Sequence, residues 1–314
     1  MSDQVSKIHP ELQPSAKRFP KIVYNKKTTW LFRLLTRLMP SPKTIEGILV
    51  ENTFILNQDD GARIRVRLYR PESKSAPTPV LIWMHGGGYL IGKPEQDDVS
   101  CAQYVRELGI TVLSVDYRLA PKHPFPIPLE DCYAVLQWAV SHAQEFNINS
   151  KRIAIGGASA GGGLAAALVQ LAHDRKEIMP AFQLLVYPML DDRTILRTDI
   201  DDSNNITWSH KSNRFGWESY LGQTCGTENV PAYSVPARRA DLSGLPPAWI
   251  GVGTLDIFHD EDVAYAQRLK ECSIECEMEV VSGAFHGFDV FDAQVSIVQD
   301  FRRLQIAALK KYLF

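Results

Sequence analysis

Apolar positions along the chain follow two different rhythms. Residues 48–56, a turn at Asn57-Gln58-Asp59-Asp60-Gly61, and then Ile64, Val66 and Leu68 alternating with Arg63, Arg65 and Arg67 predict an antiparallel pair with one buried and one wet face. Beyond it, segments 80–84, 110–115, 153–155, 184–186, 248–252 and 278–281 are compact and rich in β-branched residues, and several are apolar throughout. Such segments predict strands buried on both faces. Helical patterns at 98–108, 129–146, 160–176, 260–272 and 292–312 separate or follow them. Alternating strand and helix on this scale implies an α/β fold with a mostly parallel sheet between helices and an antiparallel start. The interval between Pro188 and Pro246 breaks the rhythm: it is polar, poor in strands and marked by Trp208, Phe215, Trp217 and Tyr220. It is too long for a simple connection and predicts an inserted helical element. The chain therefore divides into a segment 1–45, a core 46–189, an insertion 190–235 and a second part of the core 236–314.

The 314 residues are 45% apolar and 22% charged, with a net charge of −2, proportions of a globular enzyme without the basic excess of a nucleic-acid binder. That charge is unevenly placed. Residues 1–43 hold nine Lys or Arg against Asp3 and Glu11, leaving this stretch at +7 and the remainder at −9. Within it Trp30, Leu31, Phe32, Leu34, Leu35, Leu38 and Met39, interleaved with Arg33 and Arg37, have helical spacing and stop at Pro40. The expectation is a basic amphipathic helix packed over the body of the protein, with an anionic membrane surface as the alternative. Cys101, Cys132, Cys225, Cys272 and Cys276 form no CxxC pair, and no stretch resembles a secretory signal or a membrane span, so a cytoplasmic protein with reduced thiols is expected.

In an open parallel sheet, reactive groups gather beyond the carboxyl ends of the strands. One strand ends at Ile155 and runs through Gly156-Gly157-Ala158-Ser159-Ala160-Gly161 into a helix, a G-x-S-x-G elbow in strand–turn–helix context. Ser159 is the candidate nucleophile, and glycine at 157 and 161 removes the Cβ atoms that would collide in so sharp a turn. A second strand ends in His85-Gly86-Gly87-Gly88-Tyr89. The N–H groups of Gly87, Gly88 and Ala160 are the candidate donors to a tetrahedral oxyanion. A glycine turn or phosphate nest is the alternative, but no Lys-Ser/Thr or G-x-G-x-x-G accompanies it. Serine needs a base, and the base needs an acid, in the chain order nucleophile, acid, base. Asp256, after strand 248–252, and His286, after 278–281, satisfy that order. Asp260 is the rival acid, but it opens a helix, where acidic residues are routine. His9, His142, His173, His210, His259 and His123 fall in tails, helices, the insertion or a proline-rich loop and read as surface or structural residues. No cofactor or metal is called for.

Together these motifs resemble the hormone-sensitive-lipase-like (bacterial class IV type) carboxylesterases of the α/β-hydrolase superfamily. The likeness runs from about residue 80 to the C-terminus. It rests on His85-Gly-Gly-Gly88, Asp116-Tyr-Arg-Leu-Ala-Pro121 with Pro124-Phe-Pro126, Gly157-Ala-Ser-Ala-Gly-Gly162, Leu242-Ser-Gly-Leu-Pro-Pro247, Asp256 with Asp260-Glu261, and Phe285-His-Gly-Phe288. The resemblance implies an eight-stranded sheet, a helical cap built from the N-terminal segment and the insertion, a small-molecule ester as substrate, and the same three oxyanion donors. It also allows a homodimer through an edge strand or the C-terminal helix. Ala158 replaces the Asp that often precedes the family nucleophile, and Ile257-Phe258-His259 departs from the usual run, which bears on acyl and alcohol preference. Amide, lactone or acetyl substrates would use the same residues, and a receptor that had lost its base would differ at His286, which is present here.

Overall fold

Successive side chains of a strand point to opposite faces of the sheet, and here each face feeds its own core. Val80, Ile82 and Met84 enter one apolar cluster while Leu81 and Trp83 enter the other. Ile250 and Trp249 divide in the same way. The computed structural model describes residues 7–19, 21–38, 40–42, 44–73, 76–200 and 206–314. Met39, Asp3 and Lys43 of the basic segment, and 201–205 of the insertion, lie outside the described residues.

The strands are β1 (Thr44–Ile45), β2 (Ile48–Leu56), β3 (Arg63–Pro71), β4 (Thr78–Met84), β5 (Thr111–Asp116), β6 (Ile148–Ala158), β7 (Phe182–Val186), β8 (Ala248–Gly253) and β9 (Cys276–Val281). They form one sheet in the order β1-β2-β3-β5-β4-β6-β7-β8-β9. Pairing is antiparallel from β1 to β5 and parallel from there to β9. The helices are α1 (Gln13–Arg18), α2 (Lys26–Leu38), α3 (Asp98–Leu108), α4 (Ile127–Ser141), α5 (Ala160–Arg175), α6 (His210–Leu221), α7 (His259–Glu271) and α8 (Ser296–Leu313). From α4, α5 and α7, Leu129, Leu168 and Tyr265 cover one face. From α3 and α8, Tyr104, Phe301 and Leu309 cover the other.

Three expectations need correction. The sheet has nine strands among the described residues, not eight. The turn at Glu46-Gly47, with Gly47 at φ +74°, folds the two-residue β1 back on β2, pairing Thr44 with Leu49 and Ile45 with Ile48. Next, the arginine face of β3 is not uniformly wet, because Arg67 is only 1% exposed. A buried guanidinium must be paired, and Arg67 is: Nε donates to Asp98 Oδ1 at 2.8 Å, and Nη2 donates to both Asp98 Oδ2 at 2.9 Å and Pro42 O at 2.6 Å. Its neighbour Arg65 is held by Glu95 and Asp116. Finally, α2 packs on the body through its polar side, not its apolar side: Thr29 is buried, whereas Trp30, Leu31, Leu34, Leu35 and Leu38 are exposed.

Candidate active site

The sheet's carboxyl edge assembles the site from three strand ends. β6 stops at Ala158, Ser159 occupies the turn, and α5 begins at Ala160. Ser159 takes φ +56° and ψ −123°, a strained conformation for a residue with a side chain. Hydrogen bonds hold it there: its N–H donates to Val186 O at 2.9 Å, and its carbonyl accepts from Gly163 N and Met189 N, each at 3.0 Å. The glycine rule follows from contacts across the turn. A Cβ on Gly161 would overlap the Met84 carbonyl, and one on Gly157 would lie 2.7 Å from the same oxygen. The strand carrying the glycine loop and the strand carrying the serine are therefore pressed together at the elbow.

His286 and Asp256 arrive from the loops after β9 and β8. His286 Nε2 lies 2.9 Å from Ser159 Oγ, and His286 Nδ1 lies 2.7 Å from Asp256 Oδ2. The second carboxylate oxygen of Asp256 accepts from Phe258 N at 2.9 Å. Ser159, Asp256 and His286 are all buried. The imidazole is wedged edge-on between the rings of Tyr187 and Phe258, with centroids 4.9 and 5.0 Å away. Thr207 Oγ1 donates to His286 O at 2.6 Å. The rival acid, Asp260, lies elsewhere: it is exposed and bonded to Arg197 and His259.

The glycine loop lies against the elbow. Gly87 and Gly88 have φ of +124° and +60°, and a Cβ on Gly88 would overlap the ring of Trp208. Among the described residues neither glycine N–H donates to a backbone carbonyl, and the Ala160 N–H opens α5, where a helix provides no internal acceptor. His85 is structural. It is fully buried, stacked on Tyr117 at 4.3 Å, and burial pushes its imidazole below its ordinary value.

Sequence reading did not place several neighbours at the site. Trp208 roofs Gly88 and meets Tyr24, whose backbone N–H is bonded to Ser212 Oγ at 3.0 Å, so the N-terminal segment and the insertion join above the site. Of the other insertion aromatics, Trp217 and Tyr220 pack inward on Tyr89. Glu261 is buried and accepts from Leu190 N at 2.7 Å, Asp191 N at 3.1 Å and Thr194 Oγ1, tying α7 to the chain leaving β7; burial pushes its carboxyl well up. Behind the elbow a cavity of about 80 Å³ is lined by Ala158, Tyr187, Asp97, Asp289 and Arg302. Asp97 turns its carboxyl inward to accept from Trp83 Nε1 at 2.7 Å, and burial pushes it up to about 7. The signal available in sequence for these was the spacing Asp260-Glu261 for Glu261; Trp208 was visible only as one of the insertion aromatics, and nothing local marked Asp97.

A serine on a strand–helix elbow, bonded to a histidine from the last strand's loop, on a mostly parallel sheet, defines an α/β-hydrolase. Residues 81–290 match the family described as alpha/beta hydrolase fold, and the chain belongs to it, in its hormone-sensitive-lipase-like branch. Among its relatives, it is 35% identical over 261 residues to the carboxylic ester hydrolase LipN of Mycobacterium tuberculosis, covering 82% of this chain and 68% of that one. Carboxylesterase NlhH of the same organism is 32% identical over 291 residues, 89% of this chain and 88% of that one. The solved structure of a bacterial heroin esterase is similar, with a TM-score of 0.92, 33% identity and 99% of each chain covered.

Proposed function

We propose that this protein is a serine carboxylesterase that hydrolyses short- to medium-chain acyl esters through an acyl-enzyme intermediate. The observation that carries the reading is the hydrogen-bonded series Ser159 Oγ, His286 Nε2, His286 Nδ1, Asp256 Oδ2 at the carboxyl edge of the sheet. Ser159 Oγ attacks the ester carbonyl carbon while His286 Nε2 takes its proton and then returns it to the leaving alcohol. Asp256 fixes the tautomer that keeps Nε2 free as acceptor and stabilises the imidazolium. The N–H groups of Gly87, Gly88 and Ala160 hold the oxyanion, a contribution worth about 10²- to 10³-fold per donor in comparable sites. Water, deprotonated by His286, then frees the acid and regenerates the serine.

The carboxylic ester hydrolase class is supported by the names of the relatives and neighbours. The acyl-chain range rests on the roof: Trp208 and Tyr24, from segments 190–235 and 1–45 acting together as a cap, enclose the space above Gly88 with aromatic rings. A cytoplasmic location is read from five free cysteines, four of them buried. A series of p-nitrophenyl esters of increasing acyl length tests the reading: kcat/KM should peak at short or medium chains, with a pre-steady-state burst of nitrophenol. A peak on long-chain emulsions, or hydrolysis of amides but not esters, would overturn it.

A further inference from the structure

Helix α2 is amphipathic the wrong way round for a helix that only packs on its own protein. Trp30 is 67% and Leu38 73% exposed, with Leu31, Leu34 and Leu35 between them on the same outward face. Thr28, Thr29, Phe32, Arg33 and Thr36 take the inward side, buried or half-buried. At 1.5 Å per residue the apolar strip from Trp30 to Leu38 is about 13 Å long, on a helix of about 20 Å. At 100° per residue, exposed Lys26 and Arg37 flank it along one edge and Lys27 interrupts it.

Beside the strip lies a cleft of about 580 Å³ into which Arg33, Arg37 and Lys122 face. Of the other cations lining the cleft, Arg65 is neutralised by Glu95 and Asp116, and Arg118 by Asp60 and Asp131. Arg33, Arg37 and Lys122 have no ion pair among the described residues. Arg33 donates instead to the carbonyls of Leu90, at 2.7 Å, and Ala120. Arg33 and Arg37 are also four residues apart on one helix, where like charges repel. Burial first, and Arg37 next, hold the Arg33 guanidinium below its ordinary value. Cations gathered this way are suited to an anion from outside the chain.

We propose that α2 and this cleft form one docking site for an anionic membrane surface. The apolar strip enters the boundary between headgroups and acyl chains, and Arg33, Arg37 and Lys122 take lipid phosphate. A second copy of the chain is a poorer occupant. A two-fold contact would set Lys26, Lys27 and Arg37 against like charges. One helix face of roughly 20 by 10 Å also falls well short of the ~800 Å² per partner of a stable interface. Arg33 anchors the helix to the chain just after the Gly87-Gly88 loop, and Tyr24, just before α2, meets Trp208 above Gly88. Docking would bring the roofed site to esters at a lipid surface, a consequence that rests on the proposed esterase activity; the docking itself does not.

The test is flotation of the full chain carrying Ser159→Ala, which separates binding from turnover, with vesicles of phosphatidylcholine alone or with 30 mol% phosphatidylglycerol added. Partition should be about tenfold higher on the anionic vesicles and collapse in 0.5 M NaCl. The double variant Leu34→Glu with Leu38→Glu should lose about tenfold or more of it, while in the Ser159 background hydrolysis of soluble p-nitrophenyl acetate stays within about twofold. Arg37→Glu should cost roughly fivefold or more on anionic vesicles. Absence of partition, or partition unchanged by the double variant, overturns the proposal. So does loss of vesicle binding in millimolar inorganic phosphate at constant ionic strength, which would mark a site for a free anion. A dimer in sedimentation that the double variant breaks, without vesicle binding, would assign the face to a second copy. If docking persists in a protein that turns over no ester, only the functional reading fails.

Discussion

At the β6–α5 junction each residue type answers to something a few ångströms away inside the molecule, whereas the outward apolar residues of α2 are left exposed by the fold. Gly161 is small because Met84 O stands where its Cβ would be, and Gly157 because the Gly161 carbonyl, with Met84 O behind it, crowds the same position. Trp30, Leu34 and Leu38 are large although nothing in the fold buries them. The junction is a place where backbone sterics leave one choice, and the chemistry is built on it. The helix is a place where the fold leaves the choice open and an external surface can make it. Trp208 and Arg33 connect the two, one roofing the glycine loop and the other tying the helix to the chain beyond it.

The sharpest way to break this contrast is at the nucleophile. Ser159→Ala should lower kcat by about 10⁵- to 10⁶-fold, read with a p-nitrophenyl ester. Its thermal melt should barely move, because the change removes only a hydroxyl from a turn fixed by backbone bonds. Asp256→Asn should cost about 10⁴-fold in kcat by favouring the wrong imidazole tautomer. Asp260→Asn, four residues on and exposed, should stay within about threefold; equal losses at the two positions would erase the assignment of the acid.

The next probe is structural. Gly161→Ala forces a Cβ against Met84 O and His85 O, backbone atoms that cannot swing away. It should lose more than about 3 kcal/mol in denaturant unfolding, if it folds at all. Ala at an exposed α2 position such as Leu34 should change stability by less than about 0.5 kcal/mol.

The smallest effect concerns Asp97, behind the elbow. Its carboxyl is raised to about 7 in the folded chain, against about 4 when unfolded. The folded state therefore binds that proton more tightly. The resulting stability is complete below about pH 4 and is lost as pH climbs through 7. Unfolding free energy should fall by ~1 kcal/mol from pH 6 to pH 8 on this account, and Asp97→Asn should flatten that slope.

Much of the site was legible because its determinants are local. The strand–turn–helix pattern at 153–168, the glycines after Met84, and single residues after β8 and β9 are each visible in a short window. The order nucleophile, acid, base then selected Ser159, Asp256 and His286 from many candidates. Strand β6 was read too short, as 153–155, because Asn149, Ser150, Lys151 and Arg152 break the apolar run while the backbone stays extended from Ile148. What stayed hidden depends on partners far away in sequence. Arg67 looked solvated until Asp98 closed over it. Trp208 looked like one more insertion aromatic, and only its seat on Gly88 distinguishes it from Trp217 and Tyr220. The helix at 26–38 was found by its periodicity, but periodicity does not say which side faces out.

The most direct measurement is labelling of the native protein with a fluorophosphonate, followed by intact-mass and peptide mapping, alongside His286→Ala. One phosphonyl group per chain on Ser159, formed quickly in the native protein and slowed by several orders of magnitude without the imidazole, is the predicted result. A native protein that takes up no label, or takes it on another residue, contradicts the account.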